Sequence, residues 1–515
     1  MSDDRGSSPW IRLVAPDIKR PSLDDNSADA DRLSRAVKKV IKDKRVHIPY
    51  TLLAGLPRLL RENDYDVLAA LYFGENGWNL IDIYPPGKHR IYGIAVDLGT
   101  STVVLGLIDL VTSKVIEEST FTNPQIHIGP DILTRIHYAA ESGGLKRLQR
   151  LLVEGLNEEI SRVAGRHGIE VSSIVGISAA GNTTMTHFFL GLDPYWICRE
   201  PYIPAVNTPE ILRAEEIGLN VNRCAPVLIS PNVGSYLGGD LMAGIIASGM
   251  REQDRVSFLV DVGTNAEVIV GNNEWLMGCA GAAGPALEGG VASMGMMAGP
   301  GVIDRVSYDR DSGRFDISTI NGGKPIGICG SGLLDLVAQM FVYGMIDLRG
   351  KFVVKNCGKR LMNSGGMDRF MLVPADISGT GRPLTLSQPD IDSLMRSKAA
   401  MYTILTTVSN IIGIPLGDID RFYVAGTFGS YIDPRSAITL GMIPDLPVDS
   451  YVVLGNSSLK GAIKALVSLD ARQELVRIRE QLTYIELNVN QEFMNLFSAA
   501  KFIPHTDRSL FPSVR

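Results

Sequence analysis

Asp97-Leu98-Gly99-Thr100-Ser101-Thr102 stands directly after an apolar run, residues 91–96, that predicts a buried β-strand. Glycine lets the backbone turn sharply and bring its N–H groups toward an anion, and the threonine and serine hydroxyls add further donors. An aspartate at the end of a strand suits a hydrated Mg²⁺ ion, which prefers one or two carboxylates together with phosphate oxygens. The stretch therefore predicts a phosphate-binding turn in which Asp97 binds the metal and the nucleotide contacts are Gly99, Thr100, Ser101 and Thr102.

A second copy of the pattern, Asp261-Val262-Gly263-Thr264-Asn265, follows apolar residues 258–260 and leads into another strand-like run, 266–270. One copy alone fits an ordinary β-turn as well as a nucleotide site. Two copies predict two similar lobes that hold one nucleotide from opposite sides. In the second copy Asp261 is the expected metal ligand, and the expected phosphate contacts are Gly263, Thr264 and Asn265.

A third element consists of the apolar residues 422–425 followed by Gly426-Thr427-Phe428-Gly429. A strand that ends in glycine lets a flat ring lie against bare backbone. Together with the two loops, this arrangement resembles the actin, hexokinase and heat-shock chaperone ATPase superfamily. The resemblance implies an α/β fold of two ribonuclease-H-like lobes, with 425–429 as the adenosine loop. It also implies that Asp97 and Asp261 face each other across a cleft.

Two further features have two interpretations each. Gly330-Ser331-Gly332 opens an apolar helix, so its glycines either approach a nucleotide or form a tight strand–helix turn required by packing. Sugar kinases of the superfamily place their general base in a position similar to that of Asp240, which is therefore a catalytic candidate beside Asp97 and Asp261. Asp240 also fits the N-cap of a helix over 241–249.

The composition narrows the function classes and the partners. A chain of 515 residues exceeds one usual domain, so two or three are expected. The net charge is −6 and no basic block occurs, which argues against nucleic acid as a partner. No run of about 18 apolar residues and no signal peptide is found, so we expect a cytoplasmic protein without a membrane segment.

The pattern of helices, strands and turns predicts the domain organisation. Residues 1–28 are polar and contain Pro16 and Pro21, which favours a flexible arm. A small α/β linking module is expected over 29–88, because two helical patterns and two strand patterns end at a Pro-Pro-Gly stop. The first ATPase lobe is expected over 91–255, and the second over 256–515 with C-terminal helices and a strand.

Narrower motifs point to one branch of the superfamily. Their order and spacing closely resemble those of the reductive activators of corrinoid proteins, from about residue 29 to the C-terminus. The motifs that carry this resemblance are Asn123-Pro124-Gln125, 129–136, 181–187, 283–289, 327–332, 426–429 and 455–458.

The resemblance implies an ATPase that returns the cobalt of a corrinoid protein in a methyltransferase system from Co(II) to Co(I). Its implied cofactors are ATP and Mg²⁺, its implied partner is a corrinoid protein, and a homodimer is among the expected assemblies. Two other classes stay open. A small-molecule kinase predicts phosphate transfer that depends on Asp240, and a nucleotide-gated binding module without a redox role predicts tight nucleotide binding with negligible turnover.

One departure from the family concerns the electron path. Family members usually carry a ferredoxin-like domain with cysteines for a [2Fe–2S] cluster, commonly at the N-terminus. Here residues 1–90 contain no cysteine, and the five cysteines of the chain form no C-x-x-C pair. Removal of the domain, a separate donor and loss of the redox role all fit this departure. We therefore expect no iron–sulfur cluster on this chain and a separate, ferredoxin-like electron donor.

Overall fold

A computed structural model describes residues 8–263, 266–281, 292–426, 432–487 and 493–514. The chain forms two compact units. Unit 1 runs to Ala247 and also contains Ser458–Gln481, whereas unit 2 contains Ser248–Ser457 and the chain from Leu482 onward. Among the described helices, none is both long enough and apolar enough to cross a membrane.

Unit 1 begins with a small module whose four-stranded sheet has the order β1-β3-β4-β2. Its elements are β1 (Ile11–Val14), α1 (Asp29–Ile41), β2 (Val46–His47), α2 (Tyr50–Leu53), α3 (Leu56–Glu62), β3 (Leu68–Gly74) and β4 (Gly77–Tyr84). The apolar faces of α1 and α3 cover this sheet with Leu33, Val37 and Leu60, all fully buried. A sheet with helices packed on it therefore occupies the region expected as the linking module, and β1 adds residues that lie before the expected start at residue 29.

The prediction of a flexible arm over 1–28 is wrong for its middle part. Residues 11–14 form β1, which pairs antiparallel with β3. The adjacent Trp10 is fully buried, and its indole N–H donates to the carbonyl of Phe73 at 2.9 Å. Burial of one large aromatic residue and four backbone pairings outweigh the polar composition of the segment.

The first lobe follows in unit 1 and contains a six-stranded sheet of order β7-β6-β5-β8-β10-β9. Its strands are β5 (Tyr92–Leu98), β6 (Thr102–Asp109), β7 (Lys114–Thr122), β8 (Ile174–Gly181), β9 (Leu212–Arg213) and β10 (Pro226–Ile229). Its helices are α4 (Ile132–Ala139), α5 (Gly144–Arg166), α6 (Thr183–Leu190) and α7 (Gly239–Ser248). The strands β5, β6 and β7 form an antiparallel meander, and β8 and β10 continue the sheet parallel to β5.

Unit 2 holds the remaining strands. They are β11 (Ser257–Val262), β12 (Ala266–Gly271), β13 (Leu276–Gly281), β14 (Val302–Asp309), β15 (Arg314–Thr319), β16 (Gly327–Ile328), β17 (Leu361–Ser364), β18 (Met367–Val373), β19 (Leu384–Ser387), β20 (Arg421–Ala425), β21 (Tyr451–Gly455) and β22 (Leu482–Tyr484). Among its described residues before 457, the helices are α8 (Gly330–Val342), α9 (Val354–Cys357), α10 (Gln388–Ile412) and α11 (Pro434–Leu440).

The main sheet of unit 2 has the order β21-β20-β11-β12-β13-β22. Its strands β11, β12 and β13 form an antiparallel meander, and β20 and β21 continue the sheet parallel to β11. This is the arrangement of β5 to β8 and β10 in the first lobe. The repeated topology confirms the prediction of an α/β protein with two ribonuclease-H-like lobes.

Two helices depart from the expected contiguous second lobe over 256–515. These are α12 (Ser457–Val467) and α13 (Leu469–Gln481), and the chain from Ser458 to Gln481 belongs to unit 1. The reason is close packing, since a β-carbon on Gly93 would lie 2.8 Å from the Leu466 side chain. The chain then returns to unit 2, where α14 (Phe493–Ala500) packs on α10.

Candidate nucleotide site

The first phosphate loop is a tight hairpin between β5 and β6. Leu98 pairs with Val103 across this hairpin, so the turn consists of residues 99–102. A β-carbon on Gly99 would lie 2.2 Å from the carbonyl oxygen of Thr102, which only glycine tolerates. The four loop residues predicted from the sequence therefore lie together at this turn, with Thr102 as the first residue of β6, and Asp97 is the next-to-last residue of β5.

Asn123 is fully buried and makes hydrogen bonds to this loop. Its side-chain amide donates to the carbonyl of Gly99 at 2.9 Å, and its backbone N–H donates to the carbonyl of Ser101 at 2.9 Å. Its own side-chain oxygen accepts from the backbone N–H of Gln125 at 3.0 Å. The sequence marked this residue only as part of a family motif, and its contact with the loop was not predicted.

A buried arginine supports that segment. The guanidinium of Arg135 donates to Gln125 Oε1 at 3.2 Å and to the carbonyl of Gly129 at 2.8 Å. Burial lowers the pKa of Arg135 to about 10, because the guanidinium is removed from water. The motifs at 123–125 and 129–136 thus form one polar network behind the loop.

Asn182 contacts the loop from β8 and α6. Its amide nitrogen donates to the hydroxyl of Thr100 at 3.1 Å, while its side-chain oxygen caps α6 by accepting from the N–H of Met185 at 2.9 Å. Within α6, the buried His187 contacts the carbonyl of Thr183 at 2.7 Å, and its other ring nitrogen accepts from the N–H of Ala205 at 3.0 Å. Burial lowers the pKa of His187, so this histidine is a neutral structural residue.

Asp97 and Asp240 both lie near this loop in unit 1. The hydroxyl of Ser458 donates to Asp97 Oδ1 at 2.8 Å. A β-carbon on Gly238 would lie 2.5 Å from both Asp240 Oδ1 and the Cα of Asn182, which places Asp240 close to the residue that contacts Thr100. A catalytic role for Asp240 stays a prediction.

The N-cap interpretation of Asp240 is wrong. Helix α7 begins at Gly239, so Asp240 lies inside its first turn rather than at its cap. The N–H of Gly239 is instead satisfied by the side chain of Asn232 at 2.9 Å. Asn232, in the loop before α7, therefore accepts from one of the backbone N–H groups at the start of this helix.

In unit 2 the structure brings Asp261 and Gly426 together. Asp261 lies near the end of β11, where it pairs with Ala425 of β20, and Gly426 follows with a φ of 81°. A β-carbon on Gly426 would lie 2.7 Å from Asp261 Oδ1. Gly263 follows β11 directly, whereas several predicted contacts and one motif lie outside the described residues. These are Thr264, Asn265, Thr427, Phe428, Gly429 and the motif 283–289.

Packing accounts for most of the Gly330-Ser331-Gly332 motif at the start of α8. A β-carbon on Gly332 would lie 2.6 Å from the carbonyl oxygen of Ile303 in β14. The hydroxyl of Ser331 is almost fully buried and donates to the carbonyl of Asp304 at 3.2 Å. These contacts favour the interpretation as a tight strand–helix turn for Gly332 and Ser331, while a nucleotide contact of Gly330 stays a prediction.

The residues present fit a Mg²⁺ nucleotide. Each of the two loops offers an aspartate as the next-to-last residue of a strand and a glycine directly after that strand, and the first loop adds hydroxyl donors. Within the described parts of the chain, no group of three or more histidine, cysteine or acidic residues is arranged as a metal site of its own. A magnesium ion that takes most of its ligands from phosphate and water does not require such a group.

Models of three regions of one protein family match nearly the whole chain. They are described as the RACo linker region over residues 5–90, the RACo middle region over 92–253, and the C-terminal domain of RACo, the ASKHA domain, over 255–515. The chain belongs to the RACo family. The predicted membership in this family of ATPases is thus confirmed.

Curated relatives of this RACo-family chain carry related names. The chain is 30% identical over 464 residues to "Corrinoid activation enzyme RamQ" of Eubacterium limosum, covering 86% of this chain and 78% of that protein. It is 23% identical over 438 residues to "[Co(II) methylated amine-specific corrinoid protein] reductase" of Methanosarcina barkeri, covering 79% and 76%.

A solved structure supports the same RACo-family fold. It is named "Reductive activator for corrinoid, iron-sulfur protein", and the match has a TM-score of 0.90 with 37% sequence identity. The match covers 100% of this chain and 82% of that chain. The lobes and the linking module described above are therefore shared with that protein.

Proposed function

We propose that this protein is an ATP-dependent activator that returns the cobalt of a corrinoid protein from Co(II) to Co(I). The observation that carries the proposal is the similarity of the whole chain to a solved reductive activator. Two curated relatives, named as a corrinoid activation enzyme and a Co(II) corrinoid protein reductase, support the same reaction class. The cobalt is the substrate, and it gains one electron from a donor.

The chain's own residues would hold the nucleotide and its metal. Asp97 and Asp261 would bind Mg²⁺ directly or through water, and the turn 99–102 with Gly263 would bind phosphate oxygens. Gly426 has no side chain and would therefore let the adenosine lie close to the backbone. Asp240 would orient a water molecule for hydrolysis. ATP supplies the driving force only to the extent that it binds two states of the complex unequally.

The electron would come from a separate donor of the ferredoxin type. Two of the five cysteines, Cys279 and Cys357, are poor candidates for cluster ligands, because iron binds the thiolate and not the thiol. Burial raises the pKa of the Cys279 thiol to about 12 and that of Cys357 to about 11. Both groups therefore stay protonated at neutral pH.

An anaerobic assay tests the proposal. It combines this protein, a candidate corrinoid protein, a chemical or ferredoxin donor and Mg²⁺-ATP, and it follows the Co(II) and Co(I) absorption bands. The expected result is a rise of the Co(I) band that requires all four components. Omitting ATP, omitting the donor, and replacing the protein by its Asp97→Ala variant are the controls.

The two alternative functions predict different outcomes with the same proteins and reagents. A small-molecule kinase would leave the cobalt bands unchanged by ATP with every corrinoid protein of the same organism and would phosphorylate a metabolite. A nucleotide-gated binding module would capture a corrinoid protein in an ATP-dependent pull-down without reducing its cobalt. Either outcome would contradict the proposed reductive activation.

A further inference from the structure

Ser458 makes a long-range hydrogen bond to the proposed metal ligand of the first phosphate loop. Its hydroxyl donates to Asp97 Oδ1 at 2.8 Å, although the two residues are 361 positions apart in the chain. Ser458 is buried, with 6% of its surface exposed. A hydrogen bond from a buried hydroxyl to a carboxylate is stronger than one between neutral groups, because the acceptor is charged.

The position of this hydroxyl is fixed by the packing of its helix. Ser458 lies in the first turn of α12, and a β-carbon on Gly461 would lie 2.0 Å from the carbonyl oxygen of Ala243 in α7. One turn further, the ammonium group of Lys464 donates to the carbonyl of Ile246 at 3.0 Å. The backbones of α12 and α7 are therefore in direct contact, and this close packing fixes the position from which the Ser458 hydroxyl reaches Asp97.

We propose that Ser458 is a positioning residue that orients the carboxylate of Asp97 for the Mg²⁺ ion that accompanies ATP. The proposal rests on the assignment of Asp97 in the proposed function. Partners that hydrogen-bond a metal ligand fix its orientation, and their loss typically costs about 10–100-fold in metal affinity. Ser458 thus contributes to nucleotide binding through the metal, without touching the nucleotide itself.

Isothermal titration with ATP, once with Mg²⁺ and once with EDTA, tests this role on the full chain. The Ser458→Ala variant is expected to bind Mg²⁺-ATP about tenfold more weakly than the wild type, whereas ATP without metal binds both alike. Ser458→Thr, which keeps the hydroxyl, is expected to restore most of the affinity. Ser457→Ala is the matched control, because it removes a neighbouring buried serine of the same helix turn and is expected to leave both titrations unchanged.

Two further variants keep the proposal open to refutation. Ser458→Cys keeps the size of the side chain but is a weak donor, so it replaces the alanine variant if thermal unfolding shows that alanine is not tolerated. In an Asp97→Asn background, the Ser458 substitution is expected to cause no additional loss. Unchanged Mg²⁺-ATP affinity in folded Ser458 variants, or an equal loss with and without metal, overturns the positioning role. A wild type that does not bind Mg²⁺-ATP overturns the proposed function itself.

Discussion

Gly426 lies so close to Asp261 that a β-carbon on residue 426 would stand 2.7 Å from the Asp261 Oδ1 atom and 2.8 Å from the carbonyl oxygen of Val262. The φ of Gly426 is 81°, in the left-handed region that residues with a β-carbon rarely adopt. Two independent constraints thus require glycine where the chain leaves β20. One of them acts directly on the carboxylate that we assign to metal binding.

We expect Gly426→Ala to weaken Mg²⁺-ATP binding, because the new methyl group displaces the Asp261 carboxylate. The matched control is Gly413→Ala, since Gly413 has a φ of 70° but no atom within 4 Å of its β-carbon position. Backbone strain alone should cost each variant about 1–2 kcal/mol of unfolding free energy, and the close contacts at residue 426 should add to this loss in Gly426→Ala. Only Gly426→Ala should lose ATP affinity by titration calorimetry, and equal affinities in the two variants would argue against a site at Asp261.

Each of the two aspartates of the phosphate loops should be required for Mg²⁺-ATP binding. Asp97→Ala and Asp261→Ala are each expected to weaken Mg²⁺-ATP binding by more than about tenfold, because each removes a carboxylate that binds the ion or its water. Titration calorimetry measures this, with Asp316→Ala as a control at an exposed carboxylate of β15. Wild-type affinity in both loop variants would rule out the assignment.

The paired sheets could be predicted because their signal is local. Each Asp-x-Gly-Thr turn follows its own buried strand, and the hairpin register depends only on neighbouring residues. The meander order then follows from short connections, which favour antiparallel neighbours. The prediction that Asp97 and Asp261 face each other stays a prediction.

Contacts between segments that are far apart in the chain could not be predicted from the sequence. Nothing in the sequence near Ser458 indicates that its side chain reaches Asp97. The strand next to Trp10 has only four residues, which is too short for a clear alternation of apolar and polar residues. The polar residues Asn123 and Asn182 were visible only as family motifs, because a side-chain bond to a loop depends on the folded positions of both partners. The same reason explains why α12 and α13 were expected in the second lobe, although the chain from Ser458 to Gln481 belongs to unit 1.

Asn123 should be required for the shape of the first phosphate loop. Asn123→Ala removes the donor to the Gly99 carbonyl in a fully buried site, so we expect a loss of about 1–3 kcal/mol in unfolding free energy and weaker Mg²⁺-ATP binding. Asn63→Ala is the control, because Asn63 donates a similar 2.9 Å bond to the carbonyl of Leu59 in the linking module. An equal fall of ATP affinity in both variants would show that the loss follows from lower stability of the protein and not from the shape of the first phosphate loop.

Asp335 should make the stability of unit 2 depend on pH. It accepts from the hydroxyl of Ser436 in α11 at 2.7 Å and from the backbone N–H of Val306 at 3.3 Å. Burial is the largest influence and raises the pKa of Asp335 from 3.8 to about 6. The folded protein therefore binds more protons than the unfolded chain between these values, so stability falls as the pH rises through this window and is constant above it.

The Asp335→Asn variant isolates this contribution, because asparagine does not titrate. Urea unfolding from pH 4 to pH 8 should show that the wild type loses up to about 3 kcal/mol relative to the variant as the pH approaches the folded pKa. Ser436→Ala provides a directional test, since the Ser436 hydroxyl lowers the pKa of Asp335 and its removal should extend the falling region to higher pH. A stability difference between wild type and Asp335→Asn that does not change with pH would show that Asp335 is already ionised throughout this range.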